Sequence, residues 1–316
     1  MKMKDFGFYR GVNLGGWLSQ CDYSRERMDH FVTEKDFDRI ASWGLDHVRI
    51  PVDYNVLENE DGTYKQDGFD RLTRAIAWAK ARKMRVVLDL HKTAGFSFDA
   101  AEKEAGFFFN EACQERFYRL WEELARHFND PEHVAFELLN EVTEKEFIGA
   151  WNRISAECIR RVRALCPKTL ILIGSYWNNS ASAVKDLAAP ADDRVIYNFH
   201  CYEPVQFTHQ GAHWVPGLDM EKRISFAESG TDEAYFEELF APAIRAAQER
   251  GTCLYCGEYG VIDRASPEDT MRWYETIHRV LEKHEISRAA WSYREMDFGI
   301  GDQRLDAVRE QIVQAL

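Results

Sequence analysis

Strand-like apolar runs recur along this chain, separated by longer stretches in which apolar residues return every three or four positions. The runs cover residues 8–14, 47–50, 85–90, 134–139, 169–173, 195–199, 252–256 and 289–293. Their lengths suit buried strands. Between them, Leu72, Ile76 and Ala79 form one stripe, and Phe117, Leu120, Trp121, Leu124 and Phe128 a second. Trp151, Ile154, Cys158 and Val162 form a third, and Trp273, Ile277, Val280 and Leu281 a fourth. This spacing predicts helices with one face against a core. Strands alternating with crossover helices predict a parallel sheet with right-handed connections. Eight repeats in 316 residues fit a closed (β/α)8 TIM barrel better than an open doubly wound sheet. With no Gly/Ser/Pro-rich linker, residues 1–316 read as a single domain. One stretch breaks the rhythm: residues 203–242, with several Pro and Gly, predict an extended loop after strand six.

In a barrel of this kind the active site lies where the strands end. Six of the eight predicted ends carry polar or aromatic side chains: Arg49 on strand two, His91 on three, Asn140 and Glu141 on four, His200 and Tyr202 on six, Glu258 on seven and Trp291 on eight. Two glutamates on facing strand ends suit a glycosidic bond between them, one donating a proton and the other attacking carbon or activating water. Arg49 is expected to pair with Glu258 and keep it ionised, and the Tyr202 hydroxyl to orient the nucleophilic carboxylate. Asn140 is placed to bond a sugar hydroxyl, and the Trp291 indole to stack on a sugar's C–H face. Taken singly, these residues have plainer readings: an ion pair for Arg49, structural histidines for His91 and His200, core packing for Tyr202 and Trp291.

Composition narrows the partners. The chain is 45% hydrophobic and 13% aromatic, enough for a large core with aromatics to spare. A net charge of −13 opposes nucleic-acid phosphates and anionic lipid, whereas a neutral sugar meets no such penalty. No run approaches the ~18 apolar residues of a membrane span, and the N-terminus lacks the apolar stretch of a secretion signal. Seven scattered cysteines suit reduced thiols and a cytoplasmic protein. Cys253 and Cys256 have metal or redox spacing but lie inside a strand-like run without partners, so no metal site is expected. The glycines at 11, 15 and 16 lack dinucleotide-loop spacing, and Ser175 lacks a nucleophile elbow. Trp17, Trp121, Trp151 and Trp273 read as core. Glu137, inside strand four, is expected buried and paired, or turned toward the helices.

The motifs carrying these residues resemble glycoside hydrolase family 5 of clan A. They are Gly11-Val-Asn-Leu-Gly-Gly-Trp17, Phe136-Glu-Leu-Leu-Asn-Glu141, Tyr197-Asn-Phe-His200, Phe207-Thr-His-Gln210, Tyr255-Cys-Gly-Glu258 and Trp291-Ser-Tyr-Arg-Glu-Met-Asp-Phe298, in order from end to end. The resemblance implies a retaining β-glucanase of endo-β-1,4-glucanase type. It would act on β-1,4 or mixed β-1,3/1,4 glucans or their oligosaccharides without a cofactor, as a monomer, with Glu141 as acid/base and Glu258 as nucleophile. Alternatives on the same fold are an exo-β-1,3-glucanase, a β-mannanase, a β-glucosidase or an inactive sugar-binding barrel. Three features depart from the pattern it resembles. Lys92 stands where a second His follows the strand-three His, Glu203 stands where Asn follows the strand-six Tyr, and residues 214–242 are shorter. They bear on substrate contacts rather than on the chemistry.

Overall fold

The computed structural model describes residues 2–99 and 105–316. Eight parallel strands close into a barrel: β1 Arg10–Asn13, β2 His47–Asp53, β3 Arg85–Lys92, β4 Val134–Glu137, β5 Ile171–Ile173, β6 Val195–Cys201, β7 Leu254–Tyr259 and β8 Ser287–Ala290. Each pairs with the next, and β8 returns to β1 through Gly11 beside Ala289. Helices Glu34–Ser42, Gln66–Ala81, Glu111–His127, Ile148–Leu165, Glu233–Glu249 and Pro267–Lys283 lie in the connections. Between β5 and β6 the chain makes only short turns and a 3₁₀ segment, Ala181–Asp186.

Alternation along the strands separates two environments. On β3, Val86, Leu88 and Leu90 join the large cluster packed on the helices, while Val87 belongs to a smaller cluster with Ala135, Leu172, Ile196, Tyr255 and Ala289. Met3 and Phe8 join that second cluster. The first predicted run is therefore corrected: β1 begins at Arg10, and Phe8 packs with this interior set instead of extending the strand. Likewise β8 ends at Ala290, so Trp291 and Tyr293 belong to the following loop. The predicted loop of residues 203–242 is shorter than expected. Helix Glu233–Glu249 begins within it, capped by Asp232, and contains Pro242. Pro is a strong loop signal, but the buried stripe of Phe236, Phe240 and Ala243 holds the helix together.

Three core tryptophans tie helices to strand ends. Trp121 donates its indole N–H to the carbonyl of Leu138 after β4 (2.9 Å), Trp151 to Gly174 after β5 (2.8 Å) and Trp273 to Glu203 after β6 (3.1 Å). Each indole buries a large apolar surface and satisfies a carbonyl where the ladder has ended. The backbone carrying the polar strand-end residues is thus fixed by the helix layer.

Candidate active site

Arg49 is fully buried at the barrel axis and uses all five of its N–H donors. Nε and Nη2 grip Glu137 (2.7 and 2.8 Å), Nη1 reaches Asn13 (2.9 Å) and Glu258 (2.7 Å), and the second Nη2 proton goes to Asn140 (2.9 Å). Asp89 Oδ2 lies 3.0 Å from Nη2. Of the two placements open to Glu137, the inward one holds. Its strand neighbours Val134 and Phe136 face the helices, and Asn198 also donates to it at 2.8 Å.

Glu258 reaches the mouth of the barrel because β7 carries an extra residue. Phe199 pairs with Cys256, but His200 pairs with Glu258, so Gly257 is looped out of register. Cys256 and Tyr259 face the helices. A regular alternation would send Glu258 there too; the bulge re-aims it inward. Arg49 holds one oxygen, and the Tyr202 hydroxyl donates to the other at 2.9 Å. Burial, with Glu258 beside it, pushes Tyr202 well above the ordinary phenol range, so the hydroxyl stays a donor.

Glu141 is held differently. His200 Nδ1 lies 2.8 Å from Oε1, and the Asn178 amide donates to Oε2 at 2.8 Å. Burial drives its pKa above the usual carboxylate value, opposed by the Asn178 bond and by His91 and Arg49. Burial likewise brings His200 down to about 4, so its ring is neutral at pH 7. With Nε2 facing the Asn179 amide nitrogen at 3.4 Å, the network assigns the proton to Nδ1, which donates to Glu141. One oxygen each of Glu141 and Glu258 and a ring nitrogen of His200 lie within 4.8 Å of one another. The same three atoms would span a cation. However, N–H and O–H donors from Arg49, Tyr202 and Asn178 already occupy the carboxylates.

The remaining predicted residues gather around this pair. The His91 Nδ1 meets Asp89 at 2.6 Å, and its ring lies parallel to Trp291 with centroids 5.9 Å apart. Asn140 gives its oxygen to Arg49, leaving a buried Nδ2 without a partner among the described residues, as a donor to a substrate hydroxyl requires. Gly15 lies so close to Trp291 that a Cβ there would stand 2.8 Å from the indole. Burial also raises Glu137, and Asp89 to about 7, since one guanidinium cannot hold every carboxyl here ionised. Of the departures, Lys92 is buried beside Asp53, 3.9 Å from its carboxylate, and near the ring of Tyr23. Glu203 bonds the backbone of Tyr202. Sequence reading missed Asn13, Asn178, Asn179 and Asn198. The available signal for two of them was a tandem Asn after strand five, a residue type that tolerates left-handed backbone.

A closed barrel with two carboxyl groups this close at its mouth, one braced by a guanidinium and a phenol and the other pushed toward protonation, defines a hydrolase of glycosidic bonds. A model of the cellulase family, glycosyl hydrolase family 5, matches residues 9–297, and the chain belongs to that family. It is 56% identical to cellodextrinase A of Ruminococcus flavefaciens over 90% of this chain and 85% of that one. It is 37% identical to endoglucanase C of Acetivibrio thermocellus over 98% of both. Among solved structures, Cel5A of Thermotoga maritima in complex with mannotriose superposes with a TM-score of 0.84 at 26% identity, covering 99% of each chain.

Proposed function

We propose that this enzyme is a retaining β-1,4-glucanase that cleaves β-1,4-linked glucans, mixed-linkage glucans and their oligosaccharides as a monomer. The observation that carries the reading is the carboxylate pair, with oxygens within 4.8 Å. Retaining enzymes hold the two groups roughly 5–5.5 Å apart, whereas inverting ones leave room for water. Glu258, charged and aimed by Arg49 and Tyr202, attacks the anomeric carbon. Its bond to that carbon forms as the glycosidic C–O bond breaks, and Glu141 delivers its proton to the departing oxygen. Glu141, now a carboxylate, then takes a proton from water, whose oxygen displaces Glu258. The leaving sugar belongs on the Glu141 side. There Trp177, 54% exposed and adjacent in sequence to Asn178, offers an apolar face.

Formation of the glycosyl ester needs Glu141 protonated. Activity on unactivated substrates is therefore present below its raised pKa and lost as pH rises through it. The test is azide rescue. Glu141→Ala should lose at least ~10²-fold on a poor leaving group. It should still load Glu258 from an activated aryl β-glycoside and yield the β-glycosyl azide when azide replaces activated water. Glu258→Ala should yield the α-azide. Reversed anomers would exchange the two roles, and full activity in both variants would place the site elsewhere. The cellodextrinase relative favours a second reading, confined to short oligosaccharides.

A further inference from the structure

The turn after β5 has an irregular backbone beside Glu141. Trp177, Asn178 and Asn179 have φ of 52°, 54° and 58° in succession. Left-handed backbone is tolerable for asparagine and costly for tryptophan, and it persists only where the surroundings over-determine it. Here they do. The Trp177 and Asn178 amides donate to the carbonyls of Thr143 and Val142, both at 3.0 Å, and Trp151 holds the carbonyl of Gly174. The turn is thereby bonded to the backbone directly following Glu141. Asn178 meets Glu141 Oε2, and Asn179 faces His200, which holds Oε1.

We propose that Asn178 is a positioning residue for the proton donor: its amide aims the Glu141 carboxyl at the leaving-group oxygen and governs how readily that carboxyl releases its proton. This rests on the double-displacement reading above. The other groups facing Glu141 come from elsewhere: Arg49 from β2, Asp89 and His91 from β3, His200 from β6, Tyr202 just beyond β6 and Glu258 from β7. Asn178 approaches from the β5 side and donates to the ionised form, so its bond works against the upward push of burial.

Two variants preserve the turn, because glycine and aspartate both accept positive φ. Asn178→Gly removes the donor, and Asn178→Asp replaces it with an acceptor and a charge. The measurement is kcat/KM against pH for aryl β-cellobiosides with good and poor leaving groups. Glu141→Ala with azide is run alongside. In both variants the basic limb should move to higher pH, further in Asn178→Asp. The loss should be on the order of tenfold for phenyl and under about twofold for dinitrophenyl leaving groups, a fraction of what general acid catalysis supplies. A purely structural role would lower both substrates equally. An unmoved basic limb, or equal losses, overturns the proposal while Glu141→Ala still gives the β-azide. If Glu141→Ala gives the α-azide, the double-displacement assignment fails and this inference falls with it.

Discussion

At the scale of single residues, the arrangement turns on Arg49, whose planar fork matches five acceptors in fixed directions. Lysine would keep the charge but offer three donors from one point. It could not grip Glu137 with two parallel bonds while also holding Asn13, Asn140 and Glu258. Arg49→Lys should therefore cost on the order of 3–5 kcal/mol in urea unfolding, as expected when a buried charge network loses a partner. It should also lower kcat by at least ~10²-fold, because Glu258 loses its brace. A stability loss below about 1 kcal/mol would mean that the guanidinium does not organise the barrel axis. The positions of the eight site residues were legible in sequence because each lies near or just past the C-terminal end of a strand-like run, where the loops of a barrel converge; the inward face of Glu258 was not. Asn13, Asn178 and Asn198 were not, since an asparagine that accepts from Arg49, as Asn13 does, or donates to a carboxylate, as Asn178 and Asn198 do, looks locally like any turn or strand asparagine. The inward turn of Glu137 needed the pairing partner on β2, which no local pattern reveals.

At the scale of elements, the bulge in β7 does what composition cannot show. Counting residues from Cys253 predicts that Glu258 ends a strand; it does not predict which face the side chain takes. The extra residue has to be small. A Cβ on Gly257 would stand 2.7 and 2.8 Å from the Asn198 amide and 3.0 Å from His200 Nε2. The Gly257 N–H also donates to Asn198 at 2.9 Å, so Asn198 is held from two sides, by Gly257 and Glu137. Gly257→Ala must displace Asn198 or His200, both buried. It should cost about 1–3 kcal/mol, as overpacking does. Because Glu258 and the His200 contact to Glu141 move together, kcat should fall more than KM rises. Wild-type kcat with a stable fold would show that β7 has slack. The barrel was legible from its short apolar runs, and four of its helices from apolar stripes at 3.6 spacing. The β5–β6 connection was not, because turns joined by a 3₁₀ segment carry no such period.

At the scale of the whole molecule, the question is whether substrate enters from an end or lies across the top. The segment after β6 decides much of this. It folds on itself, with Gln210 bonded both ways to Ile224, and the amide of Ile262 donates to Thr208. Ala212 and Val215 then pack with Trp291, Ile262 and Phe298 beside Tyr202. The stretch from Thr208 to Val215 is thus docked on the loops after β7 and β8. A wall closing one end of the cleft would need it to rise off that surface, giving up the buried contact with Trp291. Trp177 after β5 and Trp214 in this segment are exposed aromatics, and sugar rings could stack on them. A substrate held along its length is cut internally. On mixed-linkage glucan, viscosity should fall steeply while few reducing ends have appeared, with several oligosaccharide sizes among the first products. The 56% identity to a cellodextrinase makes the opposite result informative. If cellobiose or glucose is the sole early product, and if viscosity falls only in proportion to reducing ends, the docked segment does not leave the cleft open at both ends. Lys92, beside Asp53 and Tyr23 next to His91, would then be the first place to look for the closure.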